Sequence, residues 1–356
     1  MPIFENKTIV ITGGTGSLGK TVVHRILSAE LGAPKKVIVF SRDEAKQHDM
    51  RMSYLHKLVA TDEVIYRNFM NILEFRIGDV RNYADVRSVV GQADIVINAA
   101  ALKQVPSCEY FPVQALMTNC MGAANIVRAI EENNHPVETV VGISTDKACK
   151  PVNVMGMTKS IQERIFTSAN ILNRRTRFIC VRYGNVLASR GSVVPLFHDQ
   201  IRNGGPLTVT VPEMTRFLLS LNQAVDTVFA AIRCAKPGDT YIPRAPSATM
   251  INIAKALIGD RNCSIEITGI RPGEKMHESL VSEEEANHCV ARGGYYAITP
   301  MLPELCEAGV CEPNILTKEY SSADNVLDLD GTIQLLKRHR LMIDDVVLSK
   351  DEELLR

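Results

Sequence analysis

The sequence predicts an α/β fold, a doubly wound parallel sheet followed by a smaller C-terminal domain. Short runs rich in β-branched residues alternate with segments of helical apolar spacing through the first half of the chain. The first of these runs ends in a glycine-rich turn, Thr12-Gly13-Gly14-Thr15-Gly16-Ser17-Leu18-Gly19. Beyond about residue 184 the alternation gives way to segments punctuated by Gly and Pro. Strands joined by helical crossovers run parallel, and the right-handed crossover rule winds such a sheet outward with helices on both faces.

Each element has a local cause. Residues 7–12 (KTIVIT) form the first strand, and Leu18, Val22, Val23, Ile26 and Leu27 recur on one face of the helix that opens at Ser17. Residues 36–40 are a second strand, followed by a charged helix from Asp43. Residues 73–77 lead to a helix from Tyr83, and residues 93–99 to a long helix across residues 112–133. Residues 137–144 and 177–183 supply two more strands. In the second half, helices are predicted over residues 193–203, 222–234, 249–258 and 332–340. Residues 1–184 are therefore expected to form a Rossmann domain. Residues 185–356 are expected to be mainly a substrate-binding domain, with some segments returning to the first.

Composition narrows the function classes. With 356 residues, 46% of them hydrophobic, the chain can bury a sizeable core. Lysine plus arginine equals aspartate plus glutamate at 40 each, so no overall field draws the protein to nucleic acid or to an anionic membrane. The nine cysteines show neither C-x-x-C pairs nor Cys/His ligand spacing, which speaks for reduced thiols and against a metal site. No basic segment leads into an apolar signal core, and no apolar run nears the roughly 18 residues of a membrane span. A cytoplasmic protein without a membrane partner is expected.

The glycine-rich turn sits between a strand and a helix, where backbone N–H groups can approach a pyrophosphate at the helix N-terminus. Gly13, Thr15, Gly16, Ser17, Leu18 and Gly19 are thus candidate cofactor ligands. Where an acidic residue would meet a ribose 2′-hydroxyl, the second strand ends in Ser41 and Arg42, with Lys46 nearby. That points to NADP, while Asp43 leaves NAD as the alternative. Asp79 and Val80 end the third strand beside the expected adenine, and Ala99, Ala100 and Ala101 allow close approach of a ribose.

Thr145 ends the fifth strand and is followed by Asp146 and Lys147, with Lys159 on the next helix. Tyr-x-x-x-Lys is the usual catalytic spacing in sugar-modifying short-chain dehydrogenases, but this chain has Met155-x-x-x-Lys159, and a thioether cannot exchange a proton. With TGGTGSLG, these residues resemble the extended short-chain dehydrogenase/reductase family. Further segments make the chain similar to its inverting UDP-N-acetylglucosamine 4,6-dehydratases of bacterial surface-glycan synthesis. They are Ala100-Ala101-Leu102-Lys103-Gln104-Val105-Pro106, Arg182-Tyr183-Gly184-Asn185-Val186, Ser189-Arg190-Gly191-Ser192-Val193, Met214-Thr215-Arg216-Phe217 and Arg271-Pro272-Gly273-Glu274-Lys275. The resemblance covers residues 7–280, more weakly 320–325, and its most specific element is the Asp-Lys pair after Thr145. A branch like the capsule-precursor enzymes of the L-fucosamine pathway also carries methionine in place of tyrosine.

The resemblance implies a lyase on UDP-N-acetylglucosamine that yields a 4-keto-6-deoxy sugar inverted at carbon 5. Lys147 would be the base at carbon 5, its pKa drawn down towards neutrality by burial and by cations such as Lys159 or Lys103. Asp146 would be the acid at the carbon-6 hydroxyl, and Thr145 with Lys159 would stand in for the missing tyrosine through water or the ribose. Arg216 and Arg271 would grip the diphosphate, Glu274 the uridine ribose, and Asn185 and Ser192 the phosphates and nucleotide. Residues 207–209 would offer backbone groups to uracil, and Lys103 and Asn119 would face the sugar or support the catalytic strand, with Asn119 also a candidate cofactor ligand. Tyr183 either replaces the missing tyrosine or packs at the domain seam. A homo-oligomer is expected. The alternatives are a UDP-sugar 4-epimerase, a 5,6-dehydratase and a non-catalytic NADP-binding protein.

Overall fold

The apolar runs fold into strands whose central members are buried on both faces, as helices packed on each side of a sheet require. The computed structural model describes residues 2–55, 63–187, 192–306 and 312–345. The first half runs β1 (Thr8–Thr12), α1 (Ser17–Leu27), β2 (Lys36–Ser41), α2 (Glu44–Leu55), α3 (Glu63–Ile72), β3 (Leu73–Ile77), α4 (Tyr83–Val90), β4 (Ile95–Asn98), α5 (Val105–Tyr110), α6 (Pro112–Ala115), α7 (Gly122–Asn133), β5 (Thr139–Thr145), α8 (Val154–Leu172) and β6 (Arg177–Tyr183). The second half runs α9 (Val193–Arg202), β7 (Leu207–Val209), β8 (Thr215–Phe217), α10 (Leu221–Cys234), β9 (Thr240–Pro243), β10 (Ser247–Thr249), α11 (Met250–Ile258), β11 (Ile265–Ile267), β12 (Ser279–Val281), α12 (Glu283–Ala286), β13 (Cys289–Arg292), β14 (Tyr295–Ile298), β15 (Tyr320–Ser321), β16 (Val326–Leu327) and α13 (Leu329–Arg338).

Among the described residues the central sheet has nine strands in the order β13-β14-β9-β6-β5-β4-β1-β2-β3. Strands β1 to β6 pair in parallel, and β9 joins β6 in parallel. The antiparallel pair β13 and β14 then extends the edge. The sheet therefore continues past Tyr183, because β9 and β14 cover the edge that β6 would otherwise leave unpaired. The chain leaves β1 towards β2 and β3 and returns to place β4 on the other side of β1. This reversal opens a crevice at the carboxyl ends of β1 and β4.

Two elements differ from the sequence expectation. The helix over residues 112–133 is interrupted by a π-helical segment, Leu116–Met121, which carries the buried Asn119. A short helix, α5, precedes it, with proline in its first turn. The smaller domain has its own core, in which Val194, Phe197, Leu207, Val209, Ile253, Leu257, Leu335 and Leu336 bring together α9, β7, α11 and α13. Among the described residues no helix is long and apolar enough to cross a membrane.

One buried ion cluster joins the two halves. Arg182 on β6 donates to both oxygens of Glu163 on α8 at 3.0 and 2.7 Å, to both oxygens of Glu285 on α12 at 2.7 and 2.8 Å, and to the Leu280 carbonyl at 2.9 Å. A buried arginine that lost these partners, or buried carboxylates that lost their arginine, would be an uncompensated charge in a poorly solvating medium. Arg182→Ala is therefore expected to lower the unfolding free energy by about 3–5 kcal/mol, read as a shift of the denaturant midpoint.

Candidate active site

The crevice widens into a cavity of about 740 Å³, within the usual size of a small-molecule site. Its floor is the glycine-rich turn. Gly13 has φ +66°, and a Cβ there would lie 2.7 Å from the Ala100 backbone, so the turn passes directly under the end of β4. A Cβ on Gly19 would lie 2.5 Å from the Cα of Gly14, which lets α1 begin close against the turn. Gly16 caps α1 without a side-chain hydrogen bond, leaving the first N–H groups of the helix to an outside acceptor. Gly13, Thr15, Gly16, Ser17, Leu18, Gly19, Ala99, Ala100 and Ala101 all line the cavity. The cradle fits a dinucleotide pyrophosphate.

Ser41, Arg42, Lys46, Asp79 and Val80 form one end of the same cavity. Ser41 Oγ accepts from Gln47 Nε2 at 2.9 Å, and Lys46 pairs with Asp43. Asp79 Oδ2 accepts from Arg81 Nη2 at 2.6 Å and lies 3.8 Å from Arg42, whose side chain is 59% exposed. Asn119 is elsewhere. Its Oδ1 accepts from Leu102 N at 2.9 Å, and its Nδ2 donates to Leu102 O at 3.0 Å and Thr158 Oγ1 at 2.9 Å. It is fully buried and absent from the cavity wall, so its amide ties a loop to α8 and does not meet the cofactor as expected.

The chemistry concentrates where β5 and β6 end side by side, with Thr145 paired to Tyr183 across the ladder. Ser144, Thr145, Lys147, Met155, Lys159, Tyr183 and Asn185 all line the cavity there. Lys147 Nζ lies 3.1 Å from Asp146 Oδ1, 3.2 Å from Asn185 Oδ1 and 3.5 Å from Glu278 Oε1. Asp146 is 0% exposed and lies behind this wall, not on it. Its Oδ1 accepts from Thr145 Oγ1 at 2.8 Å, while its Oδ2 has no hydrogen-bond partner among the described residues. The start of α8 presses on the same turn, since a Cβ on Gly156 would meet the Lys147 carbonyl at 2.1 Å.

The two lysines differ from the expectation in an instructive way. Burial alone would push the Lys147 ammonium down, but the Asp146 and Glu278 carboxylates outweigh burial and the nearby Arg216, so its pKa is raised above the ordinary lysine value. The depressed lysine is Lys159, lowered to about 8 by burial that the attraction of Glu163 does not outweigh. Lys159 Nζ donates to Gln162 Oε1 at 2.6 Å, and Gln162 Nε2 donates to the Ile143 carbonyl at 3.1 Å, which aims the side chain along β5. Met155, one turn before Lys159, is buried with Cys108 and Ala115. Tyr183 is also buried, which pushes its phenol upward and disfavours the phenolate.

The far wall comes from the smaller domain. Ser192, Arg216, Arg271 and Glu274 line it, with Lys103 joining the cavity from the loop after β4, and Arg216 donates to Thr215 O at 2.7 Å and Met214 Sδ at 2.9 Å. Ser192 caps α9, and its Oγ is buried with no hydrogen-bond partner among the described residues. The strand at residues 207–209 is not on the wall, because it pairs with β11. Ser189, Arg190 and Gly191 lie outside the described residues. Ser144 and Glu278 are among the wall residues that escaped the sequence reading. Ser144 carried no signal beyond its place before Thr145. Glu278 stands four residues past Glu274 and reaches Lys147 only through the tertiary fold.

The family model described as "Polysaccharide biosynthesis protein" matches residues 9–300. The chain is 43% identical over 302 residues to the UDP-glucose 4-epimerase of Rickettsia typhi, covering 83% of this chain and 84% of that protein. The relative of the same name from Rickettsia prowazekii has the same identity and coverage. Among solved structures, Pen from Bacillus thuringiensis superposes with a TM-score of 0.82 at 33% identity, covering 95% of this chain and 99% of that one. DesIV, a dTDP-glucose 4,6-dehydratase from Streptomyces venezuelae, shares the fold at a TM-score of 0.63 and 17% identity, over 76% of this chain and 86% of that one. With a glycine cradle under β4, the Thr145 and Lys159 wall and a family match across most of its length, the chain belongs to the polysaccharide biosynthesis protein family of extended short-chain dehydrogenases/reductases.

Proposed function

We propose that the protein is a UDP-N-acetylglucosamine 4,6-dehydratase that inverts carbon 5, uses NADP and serves surface polysaccharide synthesis. The observation that carries this reading is the Lys147 ammonium, set between two carboxylates on the cavity wall beside Thr145. Epimerisation at carbon 4 needs proton transfer only at the carbon-4 hydroxyl. Loss of water across carbons 5 and 6 needs an acid and a base at adjacent carbons, which is the use that such a charged cluster fits.

In this reading Gly13 to Gly19 hold the pyrophosphate, and Ser41, Arg42 and Lys46 hold a 2′-phosphate. Asp79 and Val80 meet the adenine, Ala99 to Ala101 the ribose, and Lys159 the nicotinamide ribose. A bound nicotinamide would supply a hydride acceptor for carbon 4 and a hydride donor for carbon 6, with no net redox change, which makes the reaction that of a lyase. Thr145 Oγ1 takes the proton of the carbon-4 hydroxyl and passes its own to Asp146 Oδ1, along the 2.8 Å hydrogen bond between them. That relay takes the place of the tyrosine for which Met155 cannot substitute. Lys147, held as an ammonium, is an acid in the resting enzyme and protonates the departing carbon-6 oxygen. Arg216, Arg271 and Ser192 face the diphosphate, Glu274 the uridine ribose, and Lys103, Asn185 and Tyr183 the sugar. Exposed Phe111, Val113, Leu116, Met157 and Ile161 on neighbouring helices support a homo-oligomer.

The competing reading, a UDP-sugar 4-epimerase, is favoured by the name carried by the Rickettsia relatives. Incubation with UDP-N-acetylglucosamine in deuterated water separates the two. The dehydratase gives a product lighter by one water with deuterium at carbon 5, whereas an epimerase gives an isomer of unchanged mass with the carbon-5 hydrogen retained. Arg42→Ala is expected to cost NADP about 1.5–3 kcal/mol of binding and to leave NAD affinity unchanged, read by calorimetry. Lys159 is cationic below its pKa of about 8 and neutral above it. Affinity of the cofactor-free protein for NADP should therefore fall as pH rises through about 8, and Lys159→Arg should remove that alkaline limb.

A further inference from the structure

The elimination leaves one proton to assign, the one removed from sugar carbon 5, and of the two carboxylates that bracket Lys147 only one belongs to the cavity wall. Asp146 is behind the wall, with Oδ1 engaged by Thr145 and Lys147. Glu278 is on the wall although its side chain is only 2% exposed. Its Oε1 stands 3.5 Å from Lys147 Nζ, and its Oε2 has no hydrogen-bond partner among the described residues. Lys275 Nζ comes no nearer than 3.8 Å to Oε2 and donates instead to the Cys149 carbonyl at 2.6 Å. Burying a carboxylate oxygen without a donor is costly, and a carboxylate held in this way beside a cavity calls for a task.

The backbone around Glu278 is pinned. Glu278 N donates to Ser322 Oγ at 2.9 Å, and Ser322 N donates to the Glu278 carbonyl at 2.7 Å. Ser322 Oγ is also 2.7 Å from Thr215 Oγ1, next to Arg216 on β8. The carboxylate is thus held to the same strand that presents Arg216 to the cavity, and its loop continues from Arg271 and Glu274.

We propose that Glu278 is the catalytic base at carbon 5, working with Lys147 as the acid at carbon 6, an assignment that rests on the dehydratase reading. With carbon 4 already a ketone, the Glu278 carboxylate takes the carbon-5 proton and the C–H electron pair becomes the carbon-5 to carbon-6 double bond. The C–O bond at carbon 6 breaks, its electron pair leaves with oxygen, and Lys147 Nζ supplies the proton that makes it water. Base and acid both end neutral. A proton then passes from Glu278 to Lys147 across the gap that separates them, restoring the ion pair. Return of hydride to carbon 6 would draw a solvent proton to the opposite face of carbon 5, and the proton held by Asp146 leaves to solvent through Thr145. The ketone lowers the cost of removing the proton, and the adjacent ammonium lowers the cost of expelling the oxygen.

The test uses the full-length protein with its cofactor, UDP-N-acetylglucosamine and deuterated water, and compares wild type with E278Q and E278D. E278Q is expected to bind UDP normally by calorimetry and to build up reduced nicotinamide on mixing, because oxidation at carbon 4 does not use Glu278. Its carbon-5 exchange and water loss should fall at least about 100-fold, the usual scale of general base catalysis. E278D keeps the carboxylate one methylene further back and should recover part of the exchange. If E278Q fails to bind UDP, E278D decides alone, through slowed exchange with intact UDP binding. Carbon-5 exchange at the wild-type rate in either variant overturns the assignment and leaves the dehydratase reading standing. A wild-type enzyme that neither loses water nor exchanges the carbon-5 hydrogen overturns both.

Discussion

The structure turns on a single charge, the Lys147 ammonium, held among groups from both halves of the molecule. Asp146 follows directly from β5, Asn185 follows β6, and Glu278 enters on the loop before β12. An ammonium drawn this far out of water would shed its proton unless anions replaced the lost hydration. Two carboxylates do so here, and they fix both the charge of the lysine and the position of the loop that carries Glu278. Closure of the smaller domain over the sheet edge and the protonation state of the site are therefore one constraint.

A second buried cluster lies one strand position away and has a different purpose. Arg182 on β6 is bonded to Glu163 and Glu285, so α8, β6 and α12 are held in register. Its guanidinium donates to carboxylate and carbonyl oxygens and it is absent from the cavity wall. Adjacent strand positions point to opposite faces, which is why Arg182 braces the fold and Tyr183 lines the cavity. Among the described residues the cluster on the cavity side keeps oxygens of Asp146 and Glu278 without hydrogen-bond partners, while the bracing cluster uses both oxygens of both its carboxylates.

Lys147 and Lys159 make the same point by contrast. Both are deeply placed, yet one is raised and the other lowered, and the difference is the company each keeps. Lys159 donates to the neutral Gln162 amide at 2.6 Å, and the more distant attraction of Glu163 is too weak to offset its burial, so burial decides. Lys147 has Asp146 and Glu278, so attraction decides. Residue type and depth alone would have ranked the two lysines together.

Much of the frame was legible in the chain. The turn at Gly13 to Gly19, the strands ending at Thr12, Thr145 and Tyr183, and the convergence of Thr145, Lys147 and Lys159 follow from local rules of glycine turns, β-branched runs and helical spacing, which act within a few residues. The antiparallel extension of the sheet by β13 and β14, the enclosure of Asn119 and the place of Asp146 behind the wall were not legible, since each depends on which distant segment packs against it. The direction of the Lys147 shift belongs with these. Sequence by itself determined the cradle and the sheet edge, because steric limits on φ and ψ and apolar periodicity are written locally. Only the tertiary structure decided the charge at that edge, because electrostatic energy depends on through-space distance, and Glu278 reaches Lys147 from the other half of the chain.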